Sequence, residues 1–161
     1  FVEDKATHKE HLDPFYKYRD NKEVCAAILQ EFGLSPENSH IVTGHVPVKV
    51  IKGETPIKAD GMLLVIDGGM SKPYQKETGI AGYTLMYDSY RITVIEHHPF
   101  VSPQKAIEEE LDIASTRSLV SQSNTRIKVG DTDKGIEIKQ QIDDLKMLLQ
   151  AYTSGEIKTK A

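Results

Sequence analysis

The chain has 161 residues, enough for one domain with its own core, and its 39% apolar and 27% charged residues are the ordinary balance of a globular protein. A formal charge of −4, with Lys and Arg spread along the chain, excludes a global pull towards nucleic acid and leaves room only for a local basic pocket. No apolar run comes near the roughly 20 residues that cross a bilayer, nothing at the start reads as a signal peptide, and the single Cys25 has no internal disulfide partner, which fits a reducing, cytoplasmic setting.

The chain opens on Phe1-Val2-Glu3-Asp4 without an initiator methionine, as expected of a segment of something longer, although a processed terminus would look the same. Residues 1–19 mix Lys, His, Asp, Tyr and Pro without a sustained period and read as an extended or irregular arm. Asp20 reads as an N-cap with Glu23 three residues on, a capping box. Val24, Cys25, Ile28, Leu29 and Phe32 then recur at helical spacing, so a helix with one buried face is expected over 21–32, stopped by Gly33. Cys25 lies on that face, where a packing role is expected.

Beyond Ser35-Pro36-Glu37-Asn38 the pattern turns to strands. Residues 40–43 read as a short strand ending at Gly44, 46–51 alternate as a second, 52–56 form a turn, and 62–66 make a buried strand ended by Asp67-Gly68-Gly69. Residues 70–81 read as a loop. The β-rich runs 83–87 and 91–96, joined by Asp88-Ser89-Tyr90, predict a hairpin. Ser102-Pro103 starts a short helix, and 117–129 read as β-rich or irregular. Asp131-Thr132-Asp133 offers caps for a last helix. Its stripe Ile138, Ile142, Leu145, Leu149 and Tyr152 suits a subunit contact as well as a core. Strands dominate the middle and helices flank both ends, so the fold class is α+β.

The sharpest chemical feature is Thr43-Gly44-His45-Val46-Pro47. A strand runs into glycine, which permits a tight turn, and Pro47 restricts Val46, so an imidazole at position 45 would be held in few conformations. That suits a metal ligand, yet by local sequence alone a lone histidine after glycine is more often a structural residue. One imidazole cannot hold a catalytic metal, which takes three or more protein ligands, so any partners of His45 must come from elsewhere in the fold or from a missing part of the chain. The second feature is 67–75. Two glycines after a buried strand let a ligand approach the backbone, Lys72 brings positive charge, and Tyr74 and Gln75 bring hydrogen-bonding groups, a set suited to a phosphorylated sugar. The same loop also reads as a plain polar connection. It lacks the phosphate-binding P-loop pattern. His97 and His98 are adjacent on a strand and point to opposite faces, so they do not converge on a metal. Cys25 as a nucleophile would need exposure that the helical pattern argues against.

Taken together, the runs 38–49, Lys52-Gly53-Glu54-Thr55-Pro56-Ile57-Lys58-Ala59, Val65-Ile66-Asp67-Gly68-Gly69 and 78–85 closely resemble the class III fructose-1,6-bisphosphatases of bacteria, and the resemblance continues through Asp131-Thr132-Asp133 to the end of the chain. The family protein is much longer, so the chain resembles its C-terminal portion. The resemblance implies a calcineurin-like metallophosphatase, a β-sandwich flanked by helices. Within it, 1–19 would be the arm, 20–100 part of the core and 101–161 a C-terminal helical region. It implies hydrolysis of the 1-phosphate of fructose 1,6-bisphosphate in gluconeogenesis at a two-metal site, with Mn2+ as the metal. Gly44-His45 matches the last ligand motif of such enzymes, which makes His45 a metal ligand; Pro47 stands where many relatives carry a second histidine. A looser match of Tyr74 and the 79–82 run to the phosphoprotein phosphatases implies that Lys72, Tyr74 and Gln75 border the substrate phosphate. The other ligands would lie upstream, so the isolated residues are expected to be inactive. Two alternatives remain open: a non-catalytic regulatory or assembly domain, and a metallophosphatase for another phosphorylated substrate.

Overall fold

The computed structural model describes residues 3, 11, 13–111 and 115–158. Asp13 caps a first short helix, α1 (Pro14–Tyr18), accepting the Phe15 N–H at 2.8 Å with Pro14 at the first helical position. The arm expected over 1–19 is therefore helical at its end, because five residues are too few for a period to show. Apart from residues 3 and 11, the arm up to residue 12 lies outside the described residues.

The helix expected over 21–32 is α2 (Lys22–Glu31). Its cap is Asn21, which accepts the Val24 N–H at 3.0 Å, and not Asp20. The Asp20 carboxylate is engaged across the fold, accepting the Ala59 N–H at 3.0 Å with Lys58 Nζ 3.9 Å away. α2 ends on the double bond Gly33 N–H to Gln30 (2.9 Å) and Leu34 N–H to Leu29 (3.0 Å), with Gly33 at φ 71°. Cys25 and Leu29 are buried as expected, whereas Phe32, past the last turn, is exposed.

The described residues group into two compact units. The first comprises Phe1–Tyr87 and Ile92–Ser121. Its first sheet has the order β1 (Ile41–Thr43), β3 (Leu63–Val65) and β2 (Ile57–Lys58), with β1 parallel and β2 antiparallel to the central strand. All three residues of β3 are buried, which explains its unbroken apolar run. The strand expected over 46–51 does not form. Pro47 has no N–H to donate, and the chain instead makes a 3-10 turn at Val50–Lys52 closed by Gly53 at φ 76°. Its alternation still buries Val48. Between β2 and β3, Ala59, Asp60 and Gly61 all take positive φ (48°, 54° and 91°), braced by Asp20 on Ala59 and by His40 Nδ1, 2.8 Å from the Gly61 carbonyl. Cys25, Val48, Ala59, Leu63 and Val65 form the core.

The predicted hairpin is β4 (Gly82–Tyr87) with β5 (Arg91–His97), in register from Gly82 opposite His97 to Tyr87 opposite Ile92. Tyr83 of β4 packs against the core of the first sheet. The segment 70–81, read as a loop, contains one helical turn, α3 (Gln75–Thr78). Ser102 caps α4 (Pro103–Glu108), and β6 (Ser115–Gln122) lies on the far side of β5.

The second unit comprises Asp88–Arg91 and Gln122–Ala161. The Asp88 carboxylate accepts the N–H groups of Tyr90 and Arg91 at 2.8 and 3.1 Å, and these bonds, the Tyr90 one foremost, hold it below the usual carboxylate range. Tyr90 and Ser89 carbonyls accept from Ser123 and Ile127 at 2.7 and 2.8 Å. Thr132 then caps α5 (Asp133–Ser154), which stops at Gly155 with φ 83°. The whole stripe from Ile138 to Tyr152 is exposed, Leu145 and Leu149 by about two-thirds (64% and 65%). The architecture is α+β with a long last helix.

Candidate functional site

β1 leads directly into the His45 turn. The Thr43 carbonyl accepts the Ile66 N–H at 2.9 Å, and the Val48 N–H donates to the Asp67 carbonyl at 3.0 Å. Residues 44–47 are thus an excursion fixed at both ends to consecutive residues of the chain leaving β3. Inside it the Val46 N–H reaches back to the Gly44 carbonyl at 2.9 Å, and His45, at the centre, has φ 71°. This is a three-residue γ-turn, a strained arrangement for any residue with a Cβ. The sequence placed the tight turn on Gly44, but the positive φ falls on the histidine, and a Cβ at Gly44 would meet nothing within 4 Å. The imidazole is exposed. Among the described residues no group of three or more His, Cys, Asp or Glu could hold a metal ion, so His45 stands as one donor.

From Asp67 the chain enters the second predicted feature. A Cβ on Gly68 would lie 2.1 Å from the Ala81 carbonyl oxygen, and one on Gly69 would lie 1.9 Å from Thr78 Oγ1 and 2.2 Å from the Gly79 carbonyl oxygen. The glycines therefore admit the chain's own return, not a ligand, contrary to the expectation for these two positions. The buried Thr78 hydroxyl bonds the Tyr74 carbonyl at 2.9 Å, which closes α3. Lys72 and Tyr74 are exposed on this folded-back loop. Gln75 is half-buried, and its amide donates to the Met70 carbonyl at 3.0 Å, so part of its hydrogen-bonding capacity serves the loop. No hydrogen bond or ion pair among the described residues joins these three side chains to His45.

His97 and His98 have partners on the neighbouring strands. His97 Nε2 is 2.8 Å from Thr84 Oγ1 on β4, and His98 Nε2 is 2.8 Å from Thr116 Oγ1 on β6, so the adjacent rings diverge as expected. Cys25 is wholly buried. Its thiol lies 3.5 Å from the Arg19 carbonyl, and burial first, then the Asp20 charge, pushes it above the ordinary thiol range.

One arrangement escaped the sequence reading. A cleft of about 280 Å3 is lined by residues 54–57 together with Val94, Glu96 and Ser118. Opposite Glu96 in the hairpin stands Tyr83, whose buried hydroxyl has no partner among the described residues. Burial, and then the Glu96 charge, push this phenol up to about 12. Only the register of β4 on β5 makes the pair, and no motif announces a register.

The segment that carries the His45 turn and the folded-back glycine loop is shared with a known class of sugar phosphatase. The family model for the Firmicute fructose-1,6-bisphosphatase matches residues 1–154, and the chain belongs to that family. It is 56% identical over 158 residues to the class 3 fructose-1,6-bisphosphatases of Alkaliphilus metalliredigens and Clostridium novyi, and equally to the first such protein of Clostridium beijerinckii. Each match covers 98% of this chain and 24% of the relative, so the chain spans about a quarter of the length of these proteins, their C-terminal quarter. No solved structure matches. Among the described residues no helix is long and apolar enough to cross a membrane.

Proposed function

We propose that this chain is the C-terminal portion of a cytoplasmic class III fructose-1,6-bisphosphatase, which hydrolyses the 1-phosphate of fructose 1,6-bisphosphate in gluconeogenesis, and that His45 is one protein ligand of its two-metal site. The observation that carries the reading is the γ-turn at His45. Strain of this kind persists where the surrounding structure over-determines it, and here it presents an exposed imidazole from a loop fixed at both ends. A bound pair of divalent ions, Mn2+ in this reading, supplies positive charge at the phosphoryl group. In this reading His45 contributes the lone pair of its imidazole to one cation. Lys72 and Tyr74 extend a cation and a hydroxyl donor towards the substrate phosphate. Gln75 offers the part of its amide that Met70 does not use.

In the full-length protein, His45→Ala is expected to remove about one equivalent of bound manganese by elemental analysis and to lower kcat by a factor on the order of a hundred or more. Unchanged metal content and turnover would sink the assignment. The exposed stripe on α5 favours a second reading, a non-catalytic assembly domain, in which the same substitution leaves both untouched.

A further inference from the structure

The loop that carries Lys72 and Tyr74 is closed on itself by short-range hydrogen bonds. The Gly68 carbonyl accepts the Met70 N–H at 2.9 Å, the Ser71 carbonyl the Tyr74 N–H at 3.0 Å, and the Met70 carbonyl the Gln75 amide at 3.0 Å. These bonds shape the loop without fixing it to the rest of the fold. Its two ends do that. At the start, the Asp67 carbonyl accepts the Val48 N–H at 3.0 Å, which ties the loop to the chain leaving the His45 turn. At the other end stands Gly79, with φ 83°. A Cβ there would lie 2.5 Å from Val50 Cγ2 and 2.8 Å from Ile51 Cγ2, so the backbone rests directly on the 3-10 turn that follows Val48. Both ends of the loop are therefore seated on one stretch, 48–51, just downstream of His45.

Thr78 carries this anchorage to Tyr74. It is only 3% exposed, and its single hydroxyl proton lies between the Tyr74 carbonyl at 2.9 Å and the Gly79 carbonyl at 3.0 Å. The Tyr74 carbonyl already accepts the N–H groups of Glu77 and Thr78 at 2.9 and 3.0 Å. Those two bonds close the helical turn, so the hydroxyl is a third donor that the turn itself does not require. A buried hydroxyl is costly unless it is bonded, and a valine of similar shape would fill the same volume. What the hydroxyl adds is a tie between the Tyr74 peptide and the anchored Thr78–Gly79 end.

We propose that Thr78 is a positioning residue for the substrate phosphate, holding the Lys72–Tyr74 arch in place relative to the His45 turn through the Tyr74 carbonyl. This rests on the reading of Lys72 and Tyr74 as groups that face the phosphate. Without the hydroxyl the loop still folds, but the Tyr74 peptide can rock, and a looseness of about 1 Å is enough to weaken a binding site. A phosphate contact made alike in the ground and transition states shows in KM and leaves kcat unchanged.

The full-length enzyme tests this, by calorimetric titration with inorganic phosphate and by steady-state assay on fructose 1,6-bisphosphate. Thr78→Val and Thr78→Ala both remove the hydroxyl, the second without pressing a methyl group on the Gly79 carbonyl. Each is expected to raise the phosphate Kd and the KM by a factor on the order of ten, with kcat and manganese content unchanged, and Thr78→Ser to restore the wild-type values. A lower melting temperature with Kd and KM unchanged overturns the proposal, since Thr78 would then only pack. Equal losses in Thr78→Ser and Thr78→Ala overturn it too, because volume and not the hydroxyl would be at work. Lys72→Ala separates the proposal from the reading beneath it. Phosphate binding untouched by Lys72→Ala removes the whole loop from the phosphate site. Binding weakened by Lys72→Ala but not by Thr78→Ala removes only the role of Thr78.

Discussion

At His45 the backbone and the side chain make opposing demands. Asn, Asp or Gly would sit more easily at φ 71°, and each L-residue in the left-handed region costs about 1–2 kcal/mol. An imidazole there is unfavourable for folding alone, which is the physical ground for giving the position a chemical task. Tyr83 presents the reverse case, a buried hydroxyl that finds no hydrogen-bond partner among the described residues. Its phenol is raised from 10.0 to about 12, so the folded state holds the proton more tightly than the unfolded chain. The stabilisation from this source is present below pH 10 and is lost as pH rises towards 12. Tyr83→Phe is expected to abolish that loss, because no proton remains to be released. Denaturant unfolding of the full-length protein at pH 9 and at pH 11.5 measures the difference, and equal alkaline destabilisation of both proteins would rule out the Tyr83 phenol as its source.

Among the elements, the helices follow their local signals most closely. α2 and α5 start at side-chain caps and stop at left-handed glycines, as their periodicity predicts. The cap of α2 moved by one residue because Asp20 is drawn to the Ala59 N–H, a contact 39 positions away that no window could contain. The 67–82 loop is set by close packing. Gly69→Ala would drive a methyl group into Thr78 and the Gly79 carbonyl, both held in place by the α3 turn. It is expected to cost about 2–3 kcal/mol in the full-length protein, read as a lower urea midpoint. A loss under about 0.5 kcal/mol, the size of an ordinary surface substitution, would mean that the loop does not fold back on its glycines.

For the whole molecule, His45 is a single donor in a fold whose described residues offer no set of three. The 161 residues by themselves are therefore expected to release no phosphate from fructose 1,6-bisphosphate with manganese added, and measurable turnover would refute the division of ligands between segments. The residues alone determined the mixed α+β class, the two main helices, the β4–β5 hairpin, the buried Cys25 and the candidacy of His45. These rest on caps, periods and short motifs, which act within a few positions of one another. Tertiary structure decided the rest: that 46–51 is no strand, that the turn strain sits on His45 and not Gly44, that Gly68 and Gly69 make room for the chain itself, and that Tyr83 meets Glu96. A strand exists only where a neighbour takes its N–H groups, and a glycine is required only where another atom comes close. Both are decided by residues far away in sequence.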